Sequence, residues 1–371
     1  MRLLGEVRGL GDRIAAREAE DPDRYPDESV RDLIALGALS MPLPVDLGGL
    51  GASLADAVEL ILAIAEASPS LALLMSMPVG LAGVLAGAGA AVREPARAAF
   101  ADQVARVAEE YRAGRIFAAC NSEKGAGGAI AATKTSARRA ADGDLYVTGE
   151  KILASFGQHA DVFFSSVRLP EGGVEIVFVD TKASGVEIRS DWDGFGMRST
   201  ESHAVRYAGA KARELLGYPG FLEDVQPFSW WWCLFGAIPL GCAASMLRAL
   251  GDPAPASPAV RLRLSEALMR FEAARAYLLE TARAWRPGEG AAYRGRVTRA
   301  KTFAAEESVR ICADLFALSG GRHFTRSSRV ARSMADSFAG AALRPPLPLA
   351  LDALIENFSL GSLESDPRLQ P

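Results

Sequence analysis

The apolar residues of this chain change their period twice. From Leu3 to about Arg112 they recur at three- and four-residue steps, as Val30, Leu33, Ile34, Leu36 and Leu39 do in "SVRDLIALGAL", the spacing that turns one stripe of a helix toward a core. From Ile116 to about Leu215 the pattern is one of short β-branched and aromatic runs, "DLYVTGEK", "DVFFSSVRL", "VEIVFVD", "GVEIRSD" and "HAVRYAG", parted by "ADGD", "PEGG" and "KASG". Such runs and turns predict strands. After Glu223 helical spacing returns, and Ser257 followed by Pro258 reads as the N-cap and first turn of a long helix. The order α, β, α divides the chain into a helical domain over residues 1–114, a β domain over 115–216 and a second helical domain over 217–371.

Two segments carry no charge, Ser68 to Val92 and Val225 to Leu247. Each is long enough to cross a bilayer, but Pro78, Gly80 and Gly83 interrupt one and Pro239 and Gly241 the other, which favours helices buried in a protein core. The second contains "FSWWWCLFGAIPLG". At about 100° per residue, Trp230, Trp231 and Trp232 fan across roughly 200° and cannot share one core stripe. At least one must meet a subunit interface or the wall of a ligand pocket.

Composition excludes several classes of function. A net charge of -4 without a dense basic cluster gives no footprint for nucleic acid or for an anionic membrane. Cys120, Cys233, Cys242 and Cys312 lack C-x-x-C spacing, and His159, His203 and His323 form no i, i+4 pair, so no metal site is expected and the thiols read as buried and reduced. "MRLLGEVRGLGDR" meets acidic residues before an apolar run of signal-peptide length develops, and a cytoplasmic protein is the expectation.

Chemistry is concentrated in "ACNSEKGAGGAIAATKTSARRAADGDLYVTGEKILASFGQHAD", Ala119 to Asp161. Gly125, Gly127 and Gly128 let backbone amides approach an anion or a planar ring, and Ser122 and Ser155 add hydroxyls. A tight turn between strands would use the same glycines, and neither a dinucleotide nor a P-loop fingerprint is present. As a whole the stretch resembles the acyl-CoA dehydrogenase family: Ser122-Glu123-Lys124-Gly125-Ala126-Gly127-Gly128, then Thr135-Ser136-Ala137, then Gly149-Glu150-Lys151, then Ser155. "DWDGFGMRSTESHAV", with Gly196, Arg198, Thr200 and Ser202, is similar to a further strand of that family. "PVDLGGLGAS" upstream and "LFALSGGRHFTRSSRVAR" downstream are similar to its N-terminal loop and its C-terminal glycine pair.

The resemblance implies an α+β multidomain fold, with an all-α N-terminal domain, a β-barrel-like middle domain and a C-terminal four-helix bundle, assembled as a homodimer or homotetramer. It implies FAD between middle and C-terminal domains, held by Asn121, Ser122, Gly127, Gly128, Ser155, Gly320 and Gly321, with Gly127 and Gly128 also near a substrate thioester. Backbone amides and hydroxyls suit a flavin because they stabilise charge on it without being oxidised. Leu153 stands where the family often packs a tryptophan against the ring.

The family's catalytic glutamate is missing. One of its two places reads "SMADSFAGAALRPPLPLAL", with Ala339 or Ala341 at the position; the other falls on Trp231, with Trp232 where several members carry arginine. The resemblance thus moves Trp231 and Trp232 toward the substrate pocket. Asp336 and His159 are the remaining candidates for a base; Asp336 reads otherwise as an exposed or ion-paired helix residue and His159 as a loop histidine. The R-x-x-F segment that reaches the FAD pyrophosphate is missing too, which leaves FMN or no flavin as alternatives. Three functions stay open: acyl-CoA oxidation with an acyl-CoA substrate and electron-transfer flavoprotein or another acceptor, a flavin-dependent monooxygenase on the same fold, and a non-catalytic subunit.

Overall fold

The computed structural model describes residues 2–356; the rest of the expected C-terminal domain, residues 357–371, lies outside them. The chain opens with helices α1 (Arg2–Glu20), α2 (Asp27–Ala35), α3 (Leu54–Ala67), α4 (Pro69–Gly87) and α5 (Arg97–Arg112). Capping fixes the α3–α4 corner. Ser53 Oγ accepts from the Asp56 amide at 3.2 Å while the Asp56 carboxylate accepts from the Ser53 amide at 3.0 Å, a reciprocal cap. Ser68, which ends α3, caps α4 through the Leu71 amide at 3.2 Å, with Pro69 in the first turn.

The middle of the chain is one eight-stranded sheet built from β1 (Phe117–Ala119), β2 (Ser136–Arg139), β3 (Leu145–Ala154), β4 (Val162–Arg168), β5 (Val174–Asp180), β6 (Val186–Ile188), β7 (His203–Lys211) and β8 (Glu214–Leu215). It runs β6-β7-β3-β2-β4-β5-β8, with β1 parallel to β4. β4 is buried on both faces up to Arg168, which explains its unbroken apolar and small-residue run.

Helices then resume as α6 (Phe221–Val225), α7 (Ser229–Gly251), α8 (Pro258–Arg283), α9 (Ala291–Leu318), α10 (Arg329–Ser337), α11 (Ala339–Ala342) and α12 (Leu347–Glu356). Ser257 caps α8 through the Val260 amide at 3.5 Å. α7 packs against α8, α9 and α10 and also against α3 and α4. A helix surrounded in this way has no wet face, hence no charge until Arg248. The two charge-free segments are α4 and α7, each apolar and long enough for a bilayer and each largely enclosed by the rest of the protein.

Glycines on α4 receive tryptophans. A Cβ on Gly83 would lie 2.1 Å from the Trp230 ring and one on Gly87 2.3 Å from Trp285. Gly80 makes the same room for Trp231. Trp230 and Trp285 meet edge to face at 5.4 Å. Two of the three neighbouring indoles are therefore seated in the α4–α7 interface, and the third, Trp232, is half-buried beside Phe228, ring centroids 6.2 Å apart.

Candidate functional site

Between the sheet and the helices α4, α7, α10 and α11 lies a cavity of about 350 Å³. One wall is polar and comes from the sheet: Asn121, Ser122, Ser155 and Ser202. The facing wall is apolar: Met77, Phe228, Trp231, Trp232, Phe235 and Phe338, with Phe164 of β4 meeting it from the sheet. Trp231 stacks on Phe164 at 5.5 Å and donates its indole N–H to the Met77 carbonyl at 3.2 Å.

The polar wall is aimed by an irregularity in β3. Pairing with β7 shifts register between Lys151 and Ala154, and Leu153 takes φ 59°. A bulge of this kind bends the strand and re-aims the side chains beside it; Leu153 and Ser155, two residues apart, both line the cavity. Beneath them, Glu123 accepts from Lys151 Nζ at 2.6 Å and from the Lys134 and Thr135 amides at 2.7 and 3.0 Å. Burial by itself would raise the Glu123 carboxyl; these donors overcome that and hold it down to about 2. Glu123 and Lys151 are a buried structural pair that fixes the glycine loop to the sheet.

Hydrogen bonding decides what the wall offers. Asn121 Oδ1 accepts from the Ser166 amide at 2.7 Å, which leaves the Asn121 amide group as the donor for a bound molecule. Thr200 Oγ1 donates to the Met197 carbonyl at 2.8 Å, stands 2.7 Å from Ser202 Oγ, and that oxygen is 2.9 Å from Ser155 Oγ. A carbonyl only accepts, so each proton in the chain points toward Met197: Ser202 donates to Thr200 and Ser155 to Ser202. Ser155 Oγ is left with lone pairs for a donor in the cavity.

The helical side ends in "AGAALRPP". Ala339 and Ala342 of α11 line the cavity, followed by Leu343 and Arg344. Lys301 of α9, 1% exposed, donates to the carbonyls of Gly340, Leu343 and Pro345 at 2.8, 2.7 and 2.8 Å. Burial draws its ammonium down to about 7, while three acceptors for three N–H bonds favour the charged form.

A second cavity of about 740 Å³ lies behind the segment from Asp193 to Arg198 and contains Glu18, Arg326, Arg332 and Asp336. Asp336 is buried, not exposed or ion-paired as expected: Oδ1 accepts from the Met197 amide at 2.6 Å. Burial, with help from the Glu18 charge, pushes its carboxyl up to about 7. Gly196 permits the approach, since a Cβ there would lie 2.7 Å from the Ala335 carbonyl oxygen.

Of the sequence candidates, the structure brings Asn121, Ser122, Ser155, Trp231 and Trp232 to one cavity. His159 is elsewhere. It stacks on Tyr25 at 3.6 Å and pairs with Glu201 at 3.2 Å. Gly127 and Gly128 do not line the cavity, and Pro346 packs on Gly128, where a Cβ would lie 2.4 Å from Pro346 Cγ. Gly320 and Gly321 are exposed at the end of α9, away from the cavity wall. Arg344 and Lys301 were not singled out by sequence; the prolines after Arg344, which hold the chain extended, were the available signal.

The site fits a flavin ring. Leu153 is 49% exposed within the apolar slot, and among the described residues the Asn121 amide group and the Ser155 lone pairs are left free on one edge. A planar group with one apolar end and one hydrogen-bonding edge matches this set. No group of three or more metal-ligating side chains occurs among the described residues, and all four cysteines are free and buried.

Comparison with known proteins agrees in order along the chain. Residues 7–91 match the acyl-CoA dehydrogenase N-terminal domain, 118–209 the middle domain and 235–343 the C-terminal domain. L-evernosamine nitrososynthase of a Micromonospora species is 30% identical over 220 residues, 57% of this chain, and the chain spans only 50% of that relative's length. Among solved structures, FMN-bound TdsC of Paenibacillus sp. A11-2, a dibenzothiophene monooxygenase, superposes with a TM-score of 0.83 at 22% identity over 97% of this chain and 98% of that one. Butyryl-CoA dehydrogenase of Megasphaera elsdenii superposes with a TM-score of 0.81 at 17% identity over 96% and 98%. At these identities the structural likeness is one of fold.

Proposed function

The chain belongs to the acyl-CoA dehydrogenase family, and from that premise we propose that it is a flavin-dependent monooxygenase of this fold, acting on a small free substrate instead of an acyl-CoA. The observation that carries the reading is the cavity wall itself. Its described lining residues include no Asp, Glu or His. Oxidation α,β to a thioester needs a base for the α-proton, and the family's two positions for one hold Trp231 and the small residues of α11. Pro346 packs on Gly128, one of the two glycines that the resemblance assigns to the flavin pocket or the thioester. The relatives named above include a nitrososynthase and a dibenzothiophene monooxygenase.

Bound and reduced, a flavin would supply the activation of dioxygen and the transfer of one of its oxygen atoms. The chain's own residues do the rest. The Asn121 amide and the Ser155 oxygen orient the ring edge, Leu153 and Trp192 cover its apolar part, and Trp231, Phe164 and Phe235 keep water from the reacting centre. FMN suits the missing pyrophosphate arginine better than FAD. Gly320 and Gly321, exposed on one chain, are consistent with a homodimer or larger homo-oligomer.

The test is a supply of reduced FMN under isotopically labelled dioxygen with a panel of aromatic substrates. Label in a product supports the reading. Anaerobic bleaching of the flavin by an acyl-CoA would replace it with the dehydrogenase, and a colourless protein that takes up neither FMN nor FAD would replace it with the non-catalytic subunit.

A further inference from the structure

Among the described residues that line the cavity between the sheet and the helices there is one cation, Arg344, and no anion. Its position is set by its neighbours in the chain. The Leu343 and Pro345 carbonyls, on either side of it, are both held by Lys301 Nζ, at 2.7 and 2.8 Å. Pro346 then packs on the Gly128 loop. The backbone that carries the guanidinium is thus pinned at three points to two different domains.

Among the described residues no carboxylate pairs with the Arg344 guanidinium. Arg344 Nη1 is enclosed and has no partner among the described residues. Glu123 is an acid whose charge reaches it, but that carboxylate is already engaged by Lys151 Nζ and by the Lys134 and Thr135 amides. An enclosed cation without a partner is costly, and an anion brought into the cavity offsets that cost.

We infer that the substrate of this cavity carries a carboxylate on an aromatic or otherwise apolar body, and that Arg344 is the residue that receives the carboxylate. This rests on the reading that the cavity holds substrate beside a flavin. A carboxylate presents two oxygens in one plane to the planar fork of a guanidinium, and its single charge is matched by one cation. A phosphate monoester would bring a charge of roughly -1.5 to -2 against that same cation and aromatic walls. The Phe and Trp side chains of the facing wall take the apolar body.

The test uses 2-naphthoate and its neutral counterpart 2-naphthylmethanol, with the full chain, both flavin-free and loaded with FMN. Binding is read by quenching of tryptophan fluorescence, because Trp231 and Trp232 line the cavity. The wild-type protein is expected to prefer naphthoate by about tenfold or more, the range for a hydrogen bond to a charged group. Arg344→Gln loses that preference while binding naphthylmethanol as before, and Arg344→Lys keeps part of it. Melting temperature checks that each variant is folded, and the wild-type preference stands as a test without any variant. Equal affinity of the wild type for the two probes overturns the inference, as does a preference that survives Arg344→Gln. It is also overturned if Arg344→Gln instead removes a preference for FMN over riboflavin, because the guanidinium would then serve the cofactor phosphate. None of these readouts needs turnover, so failure to insert labelled oxygen refutes the monooxygenase without touching this measurement.

Discussion

The indole nitrogen of Trp231 occupies the space where a side chain on Gly80 would begin: a Cβ there would lie 2.1 Å from Nε1. The contact joins α4 to α7 and sets one wall of the cavity. Because that nitrogen donates to the Met77 carbonyl, the ring cannot move aside without leaving its buried indole N–H unpaired.

Gly80→Ala and Gly83→Ala are therefore expected to destabilise the protein by about 1–3 kcal/mol each, the usual cost of overpacking a core. Urea denaturation measures it. Unchanged midpoints would mean that the two helices separate more easily than their packing indicates.

Trp231→Phe removes the bond to Met77 and is expected to cost about 1–2 kcal/mol, whereas Trp231→Ala, which also leaves a hole, should cost about 3–5 kcal/mol. The alanine variant should bind bulkier aromatic ligands than the wild type in the same fluorescence titration. A variant that keeps the wild-type size limit would show that Trp231 does not bound the ligand.

Lys301→Met leaves the carbonyls of Gly340, Leu343 and Pro345 without their donor. A loss of roughly 2–4 kcal/mol is expected from buried acceptors left unpaired, with faster amide exchange in the 339–346 segment. Lys301→Arg should recover little, because a planar fork cannot replace three diverging N–H bonds.

Asp336 gives a pH dependence with a definite sign. Its carboxyl lies at about 7 in the fold against an ordinary 3.8, so between those values the folded chain holds a proton that the unfolded chain has released. Its contribution to stability is complete below about 3.8 and is lost as pH rises toward 7. Glu18, also raised by burial, adds in the same direction, while Arg332 and Arg198 oppose. Asp336→Asn keeps an acceptor for the Met197 amide and should flatten the fall in stability between about pH 4 and pH 7. Equal slopes in denaturation of the two proteins would rule Asp336 out as the source.

The change of period from helix to strand and back is a local property, set by side-chain direction within a few residues, and it is why the three domain types, the strands β3 to β7 and the cap at Ser257 were legible without coordinates. Spaced motifs added the family and, through it, Asn121, Ser122 and Ser155. The sequence by itself determined the order of elements and which stretches had to be buried. Tertiary packing decided what the buried groups face. His159 and Asp336 carry suitable chemistry, yet one is stacked on Tyr25 and the other is bonded to Met197. Arg344 reads in sequence as an ordinary cation before two prolines, and it becomes the charge of an apolar cavity only because α9, the Gly128 loop and α7 close around it. A residue's charge is written in the chain, but its desolvation depends on partners that are distant in sequence.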